Sequence, residues 1–578
     1  MKLKGLPQKA YNVLFHTHTV AGIVISFALF IIFYAGSFSI FRHDIYRWEN
    51  PNARIEVPTT VDLEKVLESV KANKPDFAES VLFTVRLPDE KMPYVQFFGA
   101  EYEEDHEEEE KEGEEKAGEA IAESTDGTAA KDSSEVASEA PKKHIHRFKA
   151  WINPANNYEY IGLDQPVTTL SDTIYRLHYL GQIPLGLYIS GFVALFFFFA
   201  SVTGILIHWR NLITKFYAFT FRGKWKQIWT NAHTVLGVIG LPFQIMYAVT
   251  GALFGLLTLL LIPSAFVLFG GDTSKVLATV RPEGAIKVDK DAPPLDHPTL
   301  DHYYQKAVAA FPKYQVANIR ATNHGREDGF CSVYFDDHKT INGSGQITYA
   351  LKDGEVLIKT DPAKKTYTSS VLNTVTKLHF AAYGGWMLKI IYFLLGMITC
   401  FMILSGVLLW QEARNNNRYT DKQKRFHHKV TKVYLAICLG LFPATAIIFL
   451  ANKLVPMEMI GRATYVKSAF FLSWLILVIA GLFWNNFRQL NRNYMLIGGV
   501  LSLLVPVVNG LVTGDWLLFS DPYVVGVDIF WIFTGLSAFT ICYYTYKKPI
   551  AVPQVKKHKP MKSVPVPSTS SVRQKPVS

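Results

Sequence analysis

Long apolar runs alternate with polar stretches along this chain. Each apolar block is about 20 residues, the length a helix needs to cross a hydrocarbon core of roughly 30 Å. The blocks predict eight spans, at 13–41, 184–208, 232–262, 387–410, 432–452, 466–484, 494–513 and 525–546. Two long polar segments separate the first span from the second and the third from the fourth. Each opens with a helical pattern (62–73 and 299–311) and continues as short alternating runs such as Val81, Phe83 and Val85. Alternation of that kind marks half-buried strands. Strands are expected near 80–87, 93–99 and 146–152 in the first segment. In the second they are expected near 315–322, 329–335, 346–350 and 355–358. The fold class is therefore an α-helical polytopic membrane protein, with about eight transmembrane helices and two small α/β modules on one side.

Composition agrees. Of 578 residues, 49% are hydrophobic and only 19% charged, where a soluble chain carries about a quarter charged residues. A cytosolic enzyme and a purely secreted protein are both excluded. The net charge of +10 is unevenly placed. Segments 1–12, 209–232, 411–431, 485–493 and 547–578 share one side and hold 24 Lys+Arg against 2 acidic residues, so the rest of the chain is acidic. This asymmetry places both termini in the cytoplasm. The basic tail suits anionic lipid headgroups rather than nucleic acid. The apolar run Val20–Phe41 is too long for a cleavable signal peptide and no small-x-small site follows it, so it is expected to remain as the first span. Residues 101–140 hold 17 Asp+Glu and 3 Lys. Such a segment buries too little to offset its ordering entropy and is expected to be a disordered acidic insertion.

The chain repeats. His18-Thr19-Val20-Ala21-Gly22 matches His233-Thr234-Val235-Leu236-Gly237 at an offset of 215, which also maps Gly36 onto Gly251. Leu177-His178-Tyr179 matches Leu378-His379-Phe380 at an offset of 201, which maps Trp209 onto Trp410. The repeating unit is span, outer module, span. The last three spans lack a copy of it and contain no His, which points to scaffolding or partner docking.

The duplication picks out histidines. His16, His18, His208, His233, His427 and His428 fall near the basic side, and His43, His178 and His379 near the other. A single His at a span end is commonly an interfacial side chain. One that recurs in both copies of a repeat is a functional candidate. Two imidazoles from facing helices make a bis-His axial site for b-type haem. His18 with His233 and His178 with His379 would give two such sites, one per leaflet. Gly22, Gly36, Gly237, Gly251, Gly181 and Gly384 beside them would leave room for a flat macrocycle, or serve ordinary close helix packing. His16 and His18 cannot share a helix face, and His18 has the repeat mate. His208, His427 and His428 are further, mateless candidates. The four cysteines (Cys331, Cys400, Cys438, Cys542) form no C-x-x-C, which argues against thiolate zinc, a ferredoxin-type cluster or covalent haem.

The stretch His16 to Asn50, with Phe41-Arg42-His43-Asp44-Ile45-Tyr46-Arg47-Trp48-Glu49-Asn50-Pro51, resembles the PepSY-associated transmembrane helix family. So do Leu177-His178 through Trp209 and Leu378-His379 through Trp410, and the α/β modules resemble PepSY domains. The resemblance covers about residues 10–450. It implies a bacterial inner-membrane protein of the iron-regulated, di-haem ferric-siderophore reductase type. Modules 42–183 and 263–386 would then be periplasmic, and His18, His233, His178 and His379 would be the haem ligands. Electrons would pass from the cytoplasmic side to a periplasmic ferric siderophore. No inner segment is long enough for a flavin or nicotinamide domain, so the donor would be quinol, free reduced flavin or a partner protein. Trp151, Tyr158, Tyr160, Tyr303, Tyr304, Arg320, Arg326 and Tyr334 are candidates to hold an aromatic, anionic chelate. Two rival classes stand beside this reading: a PepSY sensing or regulatory protein without redox cofactor, and a siderophore permease.

Overall fold

The structure is a computed structural model. It describes residues 7–547, except 51–56, 104–143, 163–168 and 218–223 and shorter gaps at 59, 90–91, 273–274, 277, 279–281, 290, 337–339, 342, 365–366, 485 and 518–519. Most of the acidic insertion and of the basic tail therefore lie outside the described residues; Glu101–Glu103 of the insertion close a strand.

Eight described helices are long and apolar enough to cross a membrane. In chain order the helices are α1 (Gln8–Ser39), α2 (Arg42–Glu49), α3 (Leu63–Asn73), α4 (Thr169–His178), α5 (Gly186–His208), α6 (Leu212–Phe216), α7 (Trp225–Ile239) and α8 (Leu241–Phe269). They continue with α9 (Leu300–Ala310), α10 (Tyr367–His379), α11 (Gly385–Arg414), α12 (Asp421–Leu454), α13 (Arg462–Phe483), α14 (Phe487–Thr513) and α15 (Pro522–Lys547). The third expected span is interrupted. Gly240 separates α7 from α8, and Pro242 sits in the first turn of α8, where a missing N–H costs nothing. The first copy of the repeat runs through the equivalent point as one continuous helix. Helices α1, α5, α7, α8 and α11 pack as a core, and α12 to α15 form a second bundle beside it.

The strands are β1 (Phe83–Arg86), β2 (Val95–Glu103), β3 (His144–Asn153), β4 (Glu159–Ile161), β5 (Gln315–Thr322), β6 (Phe330–Asp336), β7 (Ser344–Ala350) and β8 (Val356–Thr360). The two modules are not separate. They join into one antiparallel sheet of eight strands, in the order β4-β3-β2-β1-β5-β6-β7-β8. The seam is β1 against β5, pairing Thr84 with Arg320 and Val85 with Ile319. This joining protects two edges that would otherwise expose unpaired backbone. Helices α3 and α9 cover one face through Val66, Val70, Leu300 and Tyr303, against Val85, Phe97, Ile319 and Val333. The two helices also cap each other: Leu63 N–H donates to Asp301 Oδ2 and Leu300 N–H to Glu64 Oε1, both at 2.8 Å. Each carboxylate thus satisfies orphan donors of the other copy's first turn.

Helix α2 ties the pieces together. Its residues reach four other helices. Arg42 pairs with Asp172 of α4 at 2.7 Å, and Lys389 of α11 with the buried Asp44 at 2.8 Å. Arg47 pairs with Asp521 at 2.8 Å. Trp48 Nε1–H donates to Asp528 of α15 at 2.8 Å, and Lys453 of α12 donates to the Trp48 carbonyl. Glu49 accepts from Ser171 N–H at 3.0 Å. Buried polar groups such as Asp44, Glu49 and Asp528 need their partners, so the Arg42–Glu49 motif ties the two bundles together, and Tyr46 packs it against Tyr94 and Trp151 of the first module.

Candidate bis-histidine sites

The fold brings the four repeat-matched histidines together as two pairs. On the side of the connecting loops, the rings of His18 (α1) and His233 (α7) lie 6.0 Å apart, centre to centre. On the sheet side, His178 (end of α4) and His379 (end of α10) lie 5.9 Å apart. Two imidazoles bound to one metal ion from opposite sides, at about 2.0–2.1 Å each, put their centres about 6 Å apart.

Hydrogen bonds fix which nitrogen faces the gap. A backbone carbonyl can only accept, so the Nδ1 that meets one must carry the proton. His18 Nδ1–H donates to the Ala200 carbonyl (2.9 Å), His233 Nδ1–H to Met402 (3.0 Å) and His178 Nδ1–H to Ile32 (2.8 Å). His379 differs: its Nδ1 meets the Thr250 hydroxyl at 2.8 Å, and that hydroxyl already donates to the Met246 carbonyl. It therefore accepts from His379. All four rings keep the Nε2 lone pair free, the tautomer that ligates a metal and whose orientation is held from behind.

The backing surfaces share one construction. Ala200, Met402 and Ile32 each stand four residues before a glycine, namely Gly204, Gly406 and Gly36. At these glycines a Cβ would sit 3.3 Å from His18 Cε1, 3.0 Å from His233 Nδ1 and 2.6 Å from His178 Nδ1, respectively. Each ring turns its Nδ1–Cε1 edge to a helix, at a carbonyl and at the bare Cα one turn later. Gly36 and Gly251 do sit at the sheet-side pair. Gly181 and Gly384 belong instead to the turns after His178 and His379, Gly384 with φ +72°. A Cβ on Gly22 or Gly237 would meet nothing within 4 Å, so there the wall beside the loop-side pair is open. Gly204 and Gly406 were not singled out by the repeat, because they lie on the partner helices rather than on the helix of the histidine.

A cavity opens at the sheet-side pair, with ≈ 960 Å³ free of protein atoms, its open mouth included. Its wall is mainly apolar and aromatic: Phe33, Phe197, Phe243, Tyr247, Phe254 and Phe380 surround His178 and His379. Among the described residues no group of three or more His, Cys, Asp or Glu converges as a metal site. Each pair thus stands as two imidazoles without a third such side chain beside them among the described residues.

The sequence profile of the PepSY-associated TM region matches residues 15–413. The chain belongs to this family. The matched region contains both histidine pairs and the whole sheet, and it ends where the second bundle begins. A Pseudomonas aeruginosa protein described as uncharacterized is similar, with 23% identity over 325 residues, 53% of this chain and 77% of that protein.

The other candidate histidines of this PepSY-associated protein are placed elsewhere. His16 is exposed on α1, packed edge-on to Phe15. His208 ends α5. His427 sits between Trp410 and Tyr419, and His428 stacks on Phe487 at 4.4 Å. The expected chelate-binding side chains do not form one surface. Tyr303 is buried in the sheet core and donates to the Leu351 carbonyl, and Trp151 is buried. Tyr158 and Tyr160 pack against that core. Arg320 lies over the Tyr334 ring at 5.1 Å, 3.7 Å from Glu283.

Proposed function

We propose that this protein is a di-haem reductase of the bacterial inner membrane, passing electrons from the cytoplasmic side to a periplasmic ferric siderophore and so releasing Fe(II) for uptake. One observation carries the reading: two facing His pairs at opposite membrane levels, each spaced for a shared metal, with all four Nδ1 protons donated away and all four Nε2 free. His18 and His233 would hold one haem b, and His178 and His379 the other. Bound haem supplies one-electron Fe(III)/Fe(II) chemistry in a site that needs no acid or base.

The protein's own groups do the positioning. The carbonyls of Ala200, Met402 and Ile32 and the Thr250 hydroxyl hold the rings in the ligating tautomer and raise their basicity. The glycines beneath them let the rings approach the helices. The aromatic wall around His178 and His379 keeps water from that site, which bears on its potential. Hard oxygen donors hold ferric iron tightly and ferrous iron weakly, so one electron delivered outside is enough to free the metal. The predominance of Lys and Arg in the connecting loops supports cytoplasmic termini.

The test is reconstitution into vesicles with a reductant trapped inside and a ferric siderophore with a ferrous indicator outside. Indicator colour that depends on His18, His233, His178 and His379 is expected. Uptake of intact chelate without reduction would favour a permease instead.

A further inference from the structure

A second cleft, ≈ 730 Å³ with its mouth included, opens on the loop side between the end of α11 and the start of α12. Four cations line it, Arg414, Lys424, Arg425 and Lys429, together with Asn415 and His427, and among the described residues no carboxylate does. Two acids are near: Asp421 sits 3.7 Å from Lys424 with its own side chain 85% exposed, and Glu412 lies on α11 between Gln411 and Arg414 without lining the cleft. Trp410, behind the lining, supports two of its residues. The Arg414 guanidinium lies 4.4 Å over Trp410 and donates to the Trp410 carbonyl, which fixes its fork. His427 stands edge-on to Trp410 at 5.2 Å, and its Nδ1 is shielded from solvent without a hydrogen-bond partner. Trp410 is one helical turn beyond Gly406, the residue beneath His233, so the cleft adjoins the loop-side pair.

We propose that this cleft is a binding site for a phosphate group. Converging like charges repel one another unless an anion neutralises them. A carboxylate, with one charge, would leave most of the four uncompensated. A phosphate carries more charge and more acceptor oxygens, and a fixed guanidinium matches it bidentately. Basic pockets between membrane helices on the cytoplasmic side hold phosphate headgroups by the same chemistry. A soluble phosphate ester fits equally, and a phosphate-bearing electron donor is of that kind. The inference does not depend on the identity of the metal group at the His pairs.

The test uses full-length protein in nanodiscs of zwitterionic lipid at low ionic strength. Calorimetry with pyrophosphate and with flavin mononucleotide probes soluble phosphates. Lipid retained from nanodiscs doped with diphosphatidylglycerol probes headgroups. At least one probe is expected to bind. Arg414→Gln should weaken it about ten- to hundredfold, as loss of a charge-assisted hydrogen bond does. Arg425→Gln, whose side chain is more exposed, guards against misfolding of the first variant. Arg418→Gln removes the same charge from the same loop but outside the cleft, and should change little. Binding of the soluble probes marks a diffusible ligand, and binding of the lipid alone marks a headgroup. No binding by any probe, or equal weakening by Arg418→Gln, would overturn the proposal.

Discussion

Replacing Gly36 by Ala isolates the backing surface from the ligands themselves. The new methyl would stand 2.6 Å from Nδ1 and 2.7 Å from Cε1 of His178, where ordinary contact begins at 3.4 Å. The ring must retreat by about 0.8 Å, the shortfall between those distances. Its hydrogen bond to the Ile32 carbonyl, 2.8 Å now, would stretch to about 3.6 Å, beyond the useful range. Overpacking costs about 1–3 kcal/mol and the orphaned buried N–H about 1–3 kcal/mol more. Loss of such a backing partner typically weakens a metal site about 10–100-fold. Gly36→Ala should therefore lose the sheet-side haem on purification and keep the other. Gly22→Ala is the control on the same helix, because its methyl meets nothing within 4 Å. Haem counted per chain and the reduced spectrum of each variant decide the matter. Full haem in Gly36→Ala, or equal loss in Gly22→Ala, would refute the reasoning.

Thr250→Val should shift the spectrum or midpoint potential of the sheet-side haem alone, because His379 is backed by this hydroxyl where the other three meet a backbone carbonyl; Thr250→Ser should restore it, and a silent Val variant would contradict that role. Asp528→Ala leaves the buried Trp48 and Asn509 donors without their acceptor, at about 1–3 kcal/mol each; thermal melts should fall and proteolysis should release the second bundle, with the haem count unchanged while folded. At the sheet seam, burial would raise the Glu79 carboxyl, but hydrogen bonds from His324 and Lys71 win and hold it down at about 2. A carboxylate depressed on folding stabilises above its unfolded value of 4.5 and loses that contribution as pH falls towards about 2. Melts of the intact protein should therefore drop across this window, and Glu79→Gln should flatten the drop.

Much of the architecture is legible in one dimension because its signals are local. Span length, strand alternation and the helical runs 62–73 and 299–311 are all short-range. The duplication added one long-range fact, and that was enough to choose His18, His233, His178 and His379 from seventeen histidines. What stayed hidden depends on partners distant in sequence. The seam pairs Val85 with Ile319 through backbone groups that any residue supplies. The glycines under His18 and His233 lie on other helices, 186 and 173 residues away. The Arg42–Glu49 motif was readable as a family signature. Its clamp role required Asp172, Lys389, Asp521 and Asp528 to be seen in place. Trp151 on β3 and Tyr303 on α9 are aromatics of the kind that hold a ligand, but periodicity alone does not tell a covered face from an exposed one.

The central claim is that each His pair holds one haem. The most direct measurement is a reduced-minus-oxidised visible spectrum of the purified full-length protein, expressed with ample haem supply and with haem quantified per chain. The account predicts close to two b-type haems per chain, falling to one in His178→Ala. A protein that binds no haem under those conditions would contradict it.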